Sequence, residues 1–156
     1  MHIFRSGLFE GHVAIVTGGG SGIGLSTAIA LGELGAKVDI CGRKKEKLEA
    51  AQAKLRERKI ECVAEACDIR EVEQIQEFAG SVKQKLGTAT ILVNNAGGQF
   101  PTSAETVTPR GWEAVVRNNL NGTFFMTQAV AVQHDAVEVF AELAQHAVEP
   151  AADRGA

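Results

Sequence analysis

Apolar residues follow two rhythms along this chain. A short β-branched run, Val13 to Thr17, gives way through glycines to a helix-period pattern. Ile23, Ala28, Ala30, Leu31 and Leu34 supply its apolar face, and Gly35 ends it. "KVDICG" predicts a second short strand. "KKEKLEAAQAKLRERK" predicts a charged amphipathic helix with Leu48, Ala51 and Leu55 inward. "IECVAEACDI" reads as a third strand. "REVEQIQEFAGSVKQKLG" reads as a third helix, carrying Val72, Ile75, Phe78, Val82 and Leu86 and stopping at Gly87. "TILVNNAG" is apolar until its end, as a strand buried on both faces should be. "GGQFPTSAETVTPRG" predicts a long loop with one short helical turn. "WEAVVRNNLNGTFFMTQAVAVQH" predicts a long helix crossed by polar residues near its middle. After Asp135, Val137, Phe140, Ala144 and Val148 share one helical face, and Pro150 closes that pattern.

Strand and helix alternate three times before the fourth strand. Such crossovers give parallel strands with helices on both faces, a doubly wound α/β sheet. Ligands in such sheets sit beyond the carboxyl ends of the strands. Composition changes this picture little. The 156 residues carry a net charge of -3, which argues against a general nucleic-acid binder. No apolar run approaches the roughly 20 residues that span a bilayer. The N-terminus lacks the apolar stretch of a secretory signal, so a cytoplasmic location is expected. Cys41, Cys62 and Cys67 have no metal spacing and read as small buried residues of a reducing compartment. His2, His12, His134 and His146 show no metal spacing either and read as surface or packing residues, so no metal is expected.

The chemistry concentrates in Thr17-Gly18-Gly19-Gly20-Ser21-Gly22-Ile23-Gly24, which joins the first strand to the first helix. Glycines let backbone donors approach a diphosphate closely, and a helix N-terminus adds free N–H groups and a favourable dipole. The alternative is a merely structural turn. An acid about 20 residues beyond the glycines would select NAD. The second strand instead ends in Cys41-Gly42-Arg43-Lys44-Lys45. Arg43 can pair with a 2′-phosphate, which predicts NADP(H); the alternative is a solvated basic helix start. Asp39 lies inside the strand, short of its end.

The spacing Gly-x-x-x-Gly-x-Gly after Thr17 resembles the short-chain dehydrogenase/reductase family. Asp68-Ile69 matches the family's adenine contact at the third strand end. Asn94-Asn95-Ala96-Gly97 matches its motif at the fourth. In "NNLNGTFFMTQA", the Asn before Leu, Asn119, corresponds to the family's catalytic asparagine. The resemblance covers residues 8 to about 134. It implies a Rossmann-type sheet of strand order 3-2-1-4. It implies a cofactor site of Thr17, Gly18, Gly20, Ser21, Gly22, Ile23, Gly24, Arg43, Asp68, Ile69, Asn94, Asn95, Ala96 and Gly97. The loop Gly97-Gly98-Gln99-Phe100-Pro101, followed by Ala-Glu and Gly-Trp, resembles peroxisomal-type trans-2-enoyl-CoA reductases. That implies hydride delivery to the β-carbon of an acyl-CoA-like substrate. An alcohol or carbonyl substrate remains open, as does a dinucleotide-binding module without turnover. Phe100 and Trp112 are candidate pocket walls or core residues.

The family's reaction also uses a serine, a tyrosine and a lysine on a fifth strand and the helix after it. This chain contains no tyrosine, so only Asn119 carries over from the catalytic set. The reading is a partial cofactor domain over residues 1–134, truncated, with a divergent C-terminal helix and tail over 135–156. A frameshift, an incomplete sequence or a natural short form would each explain that tail. The end lacks a peroxisomal Ser-Lys-Leu address, although a longer form of this family can be peroxisomal. The fourth strand is expected to be an open edge, and the long helix forms subunit contacts in the family. Both predict a homo-oligomer or self-association.

Overall fold

The computed structural model describes residues 4–99 and 101–134. The predicted helix and tail after His134, and the side chain of Phe100, lie outside the described residues. Within them the chain forms strands β1 Val13–Thr17, β2 Lys37–Gly42, β3 Cys62–Ala66 and β4 Ile91–Val93. The helices are α1 Gly22–Glu33, α2 Lys45–Glu57, α3 Val72–Lys85, α4 Pro109–Val116 and α5 Gly122–Ala131. All strand pairs are parallel, in the order β3-β2-β1-β4. This is the predicted doubly wound, Rossmann-type sheet. Thr17 aligns with Cys41, and Val16 with Val93, so the strand ends form one rim.

Two apolar layers sandwich the sheet. Ala14, Val16, Val38 and Ile40 pack against α1 and α2 through Ala28, Leu48, Ala51 and Leu55. On the other face Ile15 and Cys41 meet Ile75, Phe78 and Val82 of α3 and Met126 of α5. The inward faces predicted for α2 and α3 are those observed. Helix α1 is rotated from its predicted face, because Ile23 is 79% exposed whereas Gly24 and Ala28 are buried. Gly24 must face the sheet because an added Cβ there would lie 2.5 Å from the Gly18 carbonyl oxygen. Strand β4 is half-buried rather than enclosed on both faces. It pairs with β1 alone among the described residues.

The predicted long helix is divided. Thr108 caps α4 by accepting from the Gly111 N–H at 3.1 Å, with Pro109 at the first helical position. A π-helical turn, Arg117–Asn121, then links α4 to α5. Such turns insert one residue and re-aim side chains, often at functional sites.

Asp39 is a buried acid in the middle of β2. It is 0% exposed, and neither carboxylate oxygen has a hydrogen-bond partner among the described residues. Burial, followed by the negative charge of Glu65, raises its pKa to about 8. Asp39 is therefore mostly neutral at pH 7. Glu65 itself accepts from Ser81 and pairs with Lys85 at 3.0 Å. Because the folded pKa lies above the unfolded value, Asp39's contribution is fully present below pH 4. It is lost as pH rises through about 8. The upper bound of that loss is on the order of 6 kcal/mol. Urea unfolding at pH 6 and pH 9 should show this decline, and Asp39→Asn should flatten it. An unchanged slope in the variant would contradict the assignment.

Candidate functional site

Thr17, the last residue of β1, organises the rim. Its side chain is 1% exposed. Its hydroxyl oxygen accepts from the Asn95 N–H at 3.0 Å and the Ala96 N–H at 2.9 Å, and its O–H donates to the Val93 carbonyl at 3.3 Å. Asn95 answers by donating its side-chain amide to the Thr17 carbonyl at 2.9 Å. This reciprocal clasp fixes the segment leaving β4 against the glycine loop. The hydroxyl and the amide are thus committed within the protein. Thr17 and Asn95 position the cleft rather than face it.

Gly18 follows with a φ of +68°, and an added Cβ would meet the Asn95 amide at 2.8 Å. Both constraints require glycine. Gly19, not singled out from sequence, packs where a Cβ would strike Ile40 at 2.5 Å. Gly22 differs: its φ is +56°, yet an added Cβ would meet no protein atom within 4 Å. Bare backbone at the first residue of α1 thus faces open space. The first-turn N–H groups of a helix have no intrahelical acceptor, so this end offers donors and positive potential to an anion. Ser21 precedes α1 with extended backbone and an exposed side chain that makes no capping bond.

Beside the loop lies a cleft of about 140 Å³. Gly18, Arg43, Asp68, Ile69, Ala96 and Gly97, all predicted site residues, line it. Cys41, Gly42, Cys67 and Asn118 line it too and were not predicted. Thr17, Gly20, Ser21, Gly22, Ile23, Gly24, Asn94 and Asn95 stand outside that lining. Ile23 is exposed at the head of α1, and Asn94 donates to the Thr127 hydroxyl at 3.0 Å. Arg43 is exposed at the end of β2, followed by exposed Lys44 and Lys45. Asp39 is sealed in the core, which excludes it from the rim.

Asp68 is not free to act alone. Arg70 donates to its carboxylate through Nε at 2.9 Å, and this bond holds the Asp68 pKa below the usual carboxylate range. The Asp68 N–H donates to the Gln74 side chain at 2.9 Å. Arg117 donates to the Arg70 carbonyl at 3.2 Å and to Glu71 at 2.8 Å, tying this segment to the π-helical turn. Arg70, Gln74 and Arg117 were missed from sequence. Only a local acid–base spacing hints at the first, and nothing in the sequence marks the other two.

Asn119 sits in the π-helical turn. Its amide donates to the Gly98 carbonyl at 2.6 Å and the Val115 carbonyl at 2.9 Å, while its oxygen accepts from the Gly98 N–H at 3.1 Å. Its side chain therefore shapes the loop after β4. Trp112 is 62% exposed and does not line the cleft. With Arg70, Arg117 and Phe125 it borders a separate groove on the outer face of α4 and α5. Leu120 and Phe124 are exposed on the same segment, at 65% and 58%. Among the described residues no cluster of His, Cys, Asp and Glu could hold a metal ion. No described helix is long and apolar enough to cross a membrane.

Comparison with known proteins places this geometry. The family profile described as short chain dehydrogenase matches residues 12–138. A peroxisomal 2,4-dienoyl-CoA reductase of Arabidopsis thaliana is 36% identical over 81% of this chain and 42% of its own length. A citronellol catabolism dehydrogenase of Pseudomonas aeruginosa PAO1 superposes with a TM-score of 0.80 at 44% identity, covering 84% of this chain and 54% of that one. An actinorhodin polyketide ketoreductase solved with NADPH superposes at 0.78 with 34% identity, covering 86% and 51%. This chain thus spans about half the length of the proteins it matches.

Removing the Thr17 hydroxyl leaves the Ala96 N–H without its acceptor, while the Asn95 N–H keeps the Val93 carbonyl at 3.0 Å. An unsatisfied buried donor costs ~1–3 kcal/mol. Thr17→Val should lower stability by about 2 kcal/mol in urea unfolding, and Thr17→Ser should lose much less. Equal losses would show that the methyl group, not the hydroxyl, matters.

Proposed function

The chain belongs to the short chain dehydrogenase family, and on that premise we propose that it is the cofactor-binding half of an NADP(H)-dependent oxidoreductase. The carrying observation is the bare backbone of Gly22, set at the N-terminus of α1 beside a cleft bordered by Arg43. The diphosphate would lie on the first turn of α1, against Gly20, Ser21, Gly22 and Ile23. Arg43 would face the 2′-phosphate, and Lys44 and Lys45 would add positive field. Asp68 and Ile69 would border the adenine, with Arg70 holding the Asp68 carboxylate in place. Asn94, Ala96 and Gly97 would lie towards the nicotinamide. NADPH, when bound, supplies a hydride.

The substrate we favour is an enoyl-CoA thioester. The Gly97-Gly98-Gln99-Phe100-Pro101 loop and the dienoyl-CoA reductase among the relatives support it. An alcohol or carbonyl substrate is the second reading, supported by the citronellol dehydrogenase and the ketoreductase. The catalytic position assigned to Asn119 acts, on this reading, by holding Gly98 and the π-helical turn in register. Proton transfer typically contributes ~10²–10⁴ in rate. The 156 residues hold no tyrosine for that step, so the chain alone is expected to bind without turnover. The exposed Trp112, Leu120 and Phe124 favour self-association through the α4–α5 face.

Nicotinamide fluorescence titrations test the cofactor assignment. Arg43→Ala should weaken NADPH binding at least tenfold, about 1.4 kcal/mol, and leave NADH binding unchanged. Equal loss for both would overturn it. Incubation with NADPH and crotonyl-CoA should give no oxidation above background; turnover would contradict the binding-only reading. Light scattering should report a mass above the monomer, reduced by Phe124→Glu. A monodisperse monomer at high concentration would count against self-association.

A further inference from the structure

We propose that Cys67 and Cys41 form an oxidisable thiol pair in the floor of the cleft, which a peroxide converts to a disulfide and a bound dinucleotide shields. Cys41 ends the inner part of β2 and is 0% exposed; Cys67 follows β3 and is 2% exposed. Both line the cleft together with Gly18, Arg43 and Asp68. The Cys67 N–H donates to the Gly42 carbonyl at 3.0 Å, which fixes the two strand ends side by side. Both thiols lie in the same apolar layer. Cys62 lies in the opposite layer, where its thiol donates to the Gln52 carbonyl at 3.8 Å. It does not line the cleft.

The two thiols are chemically unequal. Interaction between the two thiol side chains lowers the Cys67 pKa and, together with burial, raises that of Cys41. The thiolate is the reactive form, so Cys67 is the attacking sulfur and Cys41 the resolving one. Hydrogen peroxide or an alkyl hydroperoxide supplies the oxidant. The Cys67 thiolate attacks the O–O bond, gains one oxygen as a sulfenic acid and releases the other as water or alcohol after protonation. The Cys41 sulfur then attacks the sulfenic sulfur, an S–S bond forms and water leaves. Two electrons pass from the thiol pair to the peroxide.

The disulfide would draw the ends of β2 and β3 together beneath the place where adenosine is proposed to lie. The shielding and its consequence for binding rest on the cofactor reading above; the order of thiol reactivity does not. The test is peptide mass spectrometry of the full chain after brief peroxide treatment, mapping all three cysteines. A Cys41–Cys67 disulfide with intact Cys62 is expected. The Cys41→Ser chain should stop at a Cys67 sulfenic acid trapped by dimedone. Faster oxidation of Cys62, an inert Cys67, or no disulfide between the pair would overturn the proposal.

Nicotinamide fluorescence of the reduced chain, recorded alongside, separates the two ideas. Saturating NADPH should slow Cys67 oxidation at least fivefold, and the oxidised chain should bind NADPH at least tenfold more weakly. If NADPH binds yet Cys67 oxidises at an unchanged rate, the shielding is wrong and the cofactor reading stands. If NADPH does not bind, the cofactor reading fails, while the oxidation map still decides the thiol pair.

Discussion

One buried hydroxyl governs the rim of this sheet. Thr17 accepts two backbone N–H groups from the segment after β4, and Asn95 returns its amide to the Thr17 carbonyl. A strand of three residues has little ladder of its own, and β4 pairs with β1 at only three positions. The clasp extends that pairing past the strand ends, where a ladder can no longer reach. It also dictates the glycine at position 18, because no side chain fits between the Asn95 amide and the turning backbone. The open backbone of Gly22 and the close approach of Gly24 to Gly18 follow from the same fixed turn.

A second set of constraints holds the far wall. Arg70 binds the Asp68 carboxylate, Arg117 binds the Arg70 carbonyl, and Asn119 binds both backbone groups of Gly98. Arg117 and Asn119 both lie in the π-helical turn. One irregular turn therefore tethers the loops after β3 and β4 at once. Gly122, just beyond it, lets α5 approach Ile69, where a Cβ would lie 2.8 Å from the Ile69 carbonyl oxygen. Backbone precision on both walls suits a site that recognises a ligand through N–H groups and shape, with charge added at Arg43.

Much of this was legible in the sequence because the governing signals are local. Val13 to Thr17 is β-branched or apolar without a break, and Leu48, Ala51 and Leu55 recur at helical spacing, so strand and inward face follow directly. The phase of α1 was not legible. Ile23 outscores Gly24 in hydropathy, but the contact of Gly24 with the Gly18 carbonyl is tertiary and overrides it. The half-exposure of β4 depends on which strands flank it, not on its own residues. The π-helical turn was hidden for a related reason: an extra residue per turn is stabilised by Asn119 reaching Gly98, a contact 21 positions apart. The roles of Arg70 and Arg117 depend on similar contacts. Cys41 and Cys67 read correctly as small buried residues, but their shared place in the cleft came only from the β2–β3 register.

Amide hydrogen exchange with and without NADPH tests the central claim, that a clasped strand rim builds a dinucleotide cleft. The account predicts that NADPH slows exchange at residues 18–25, 42–44, 67–70 and 94–98 together, with α2 and the middle of α3 unchanged. Protection spread evenly over the chain, or confined to the outer groove beside Trp112, would contradict it.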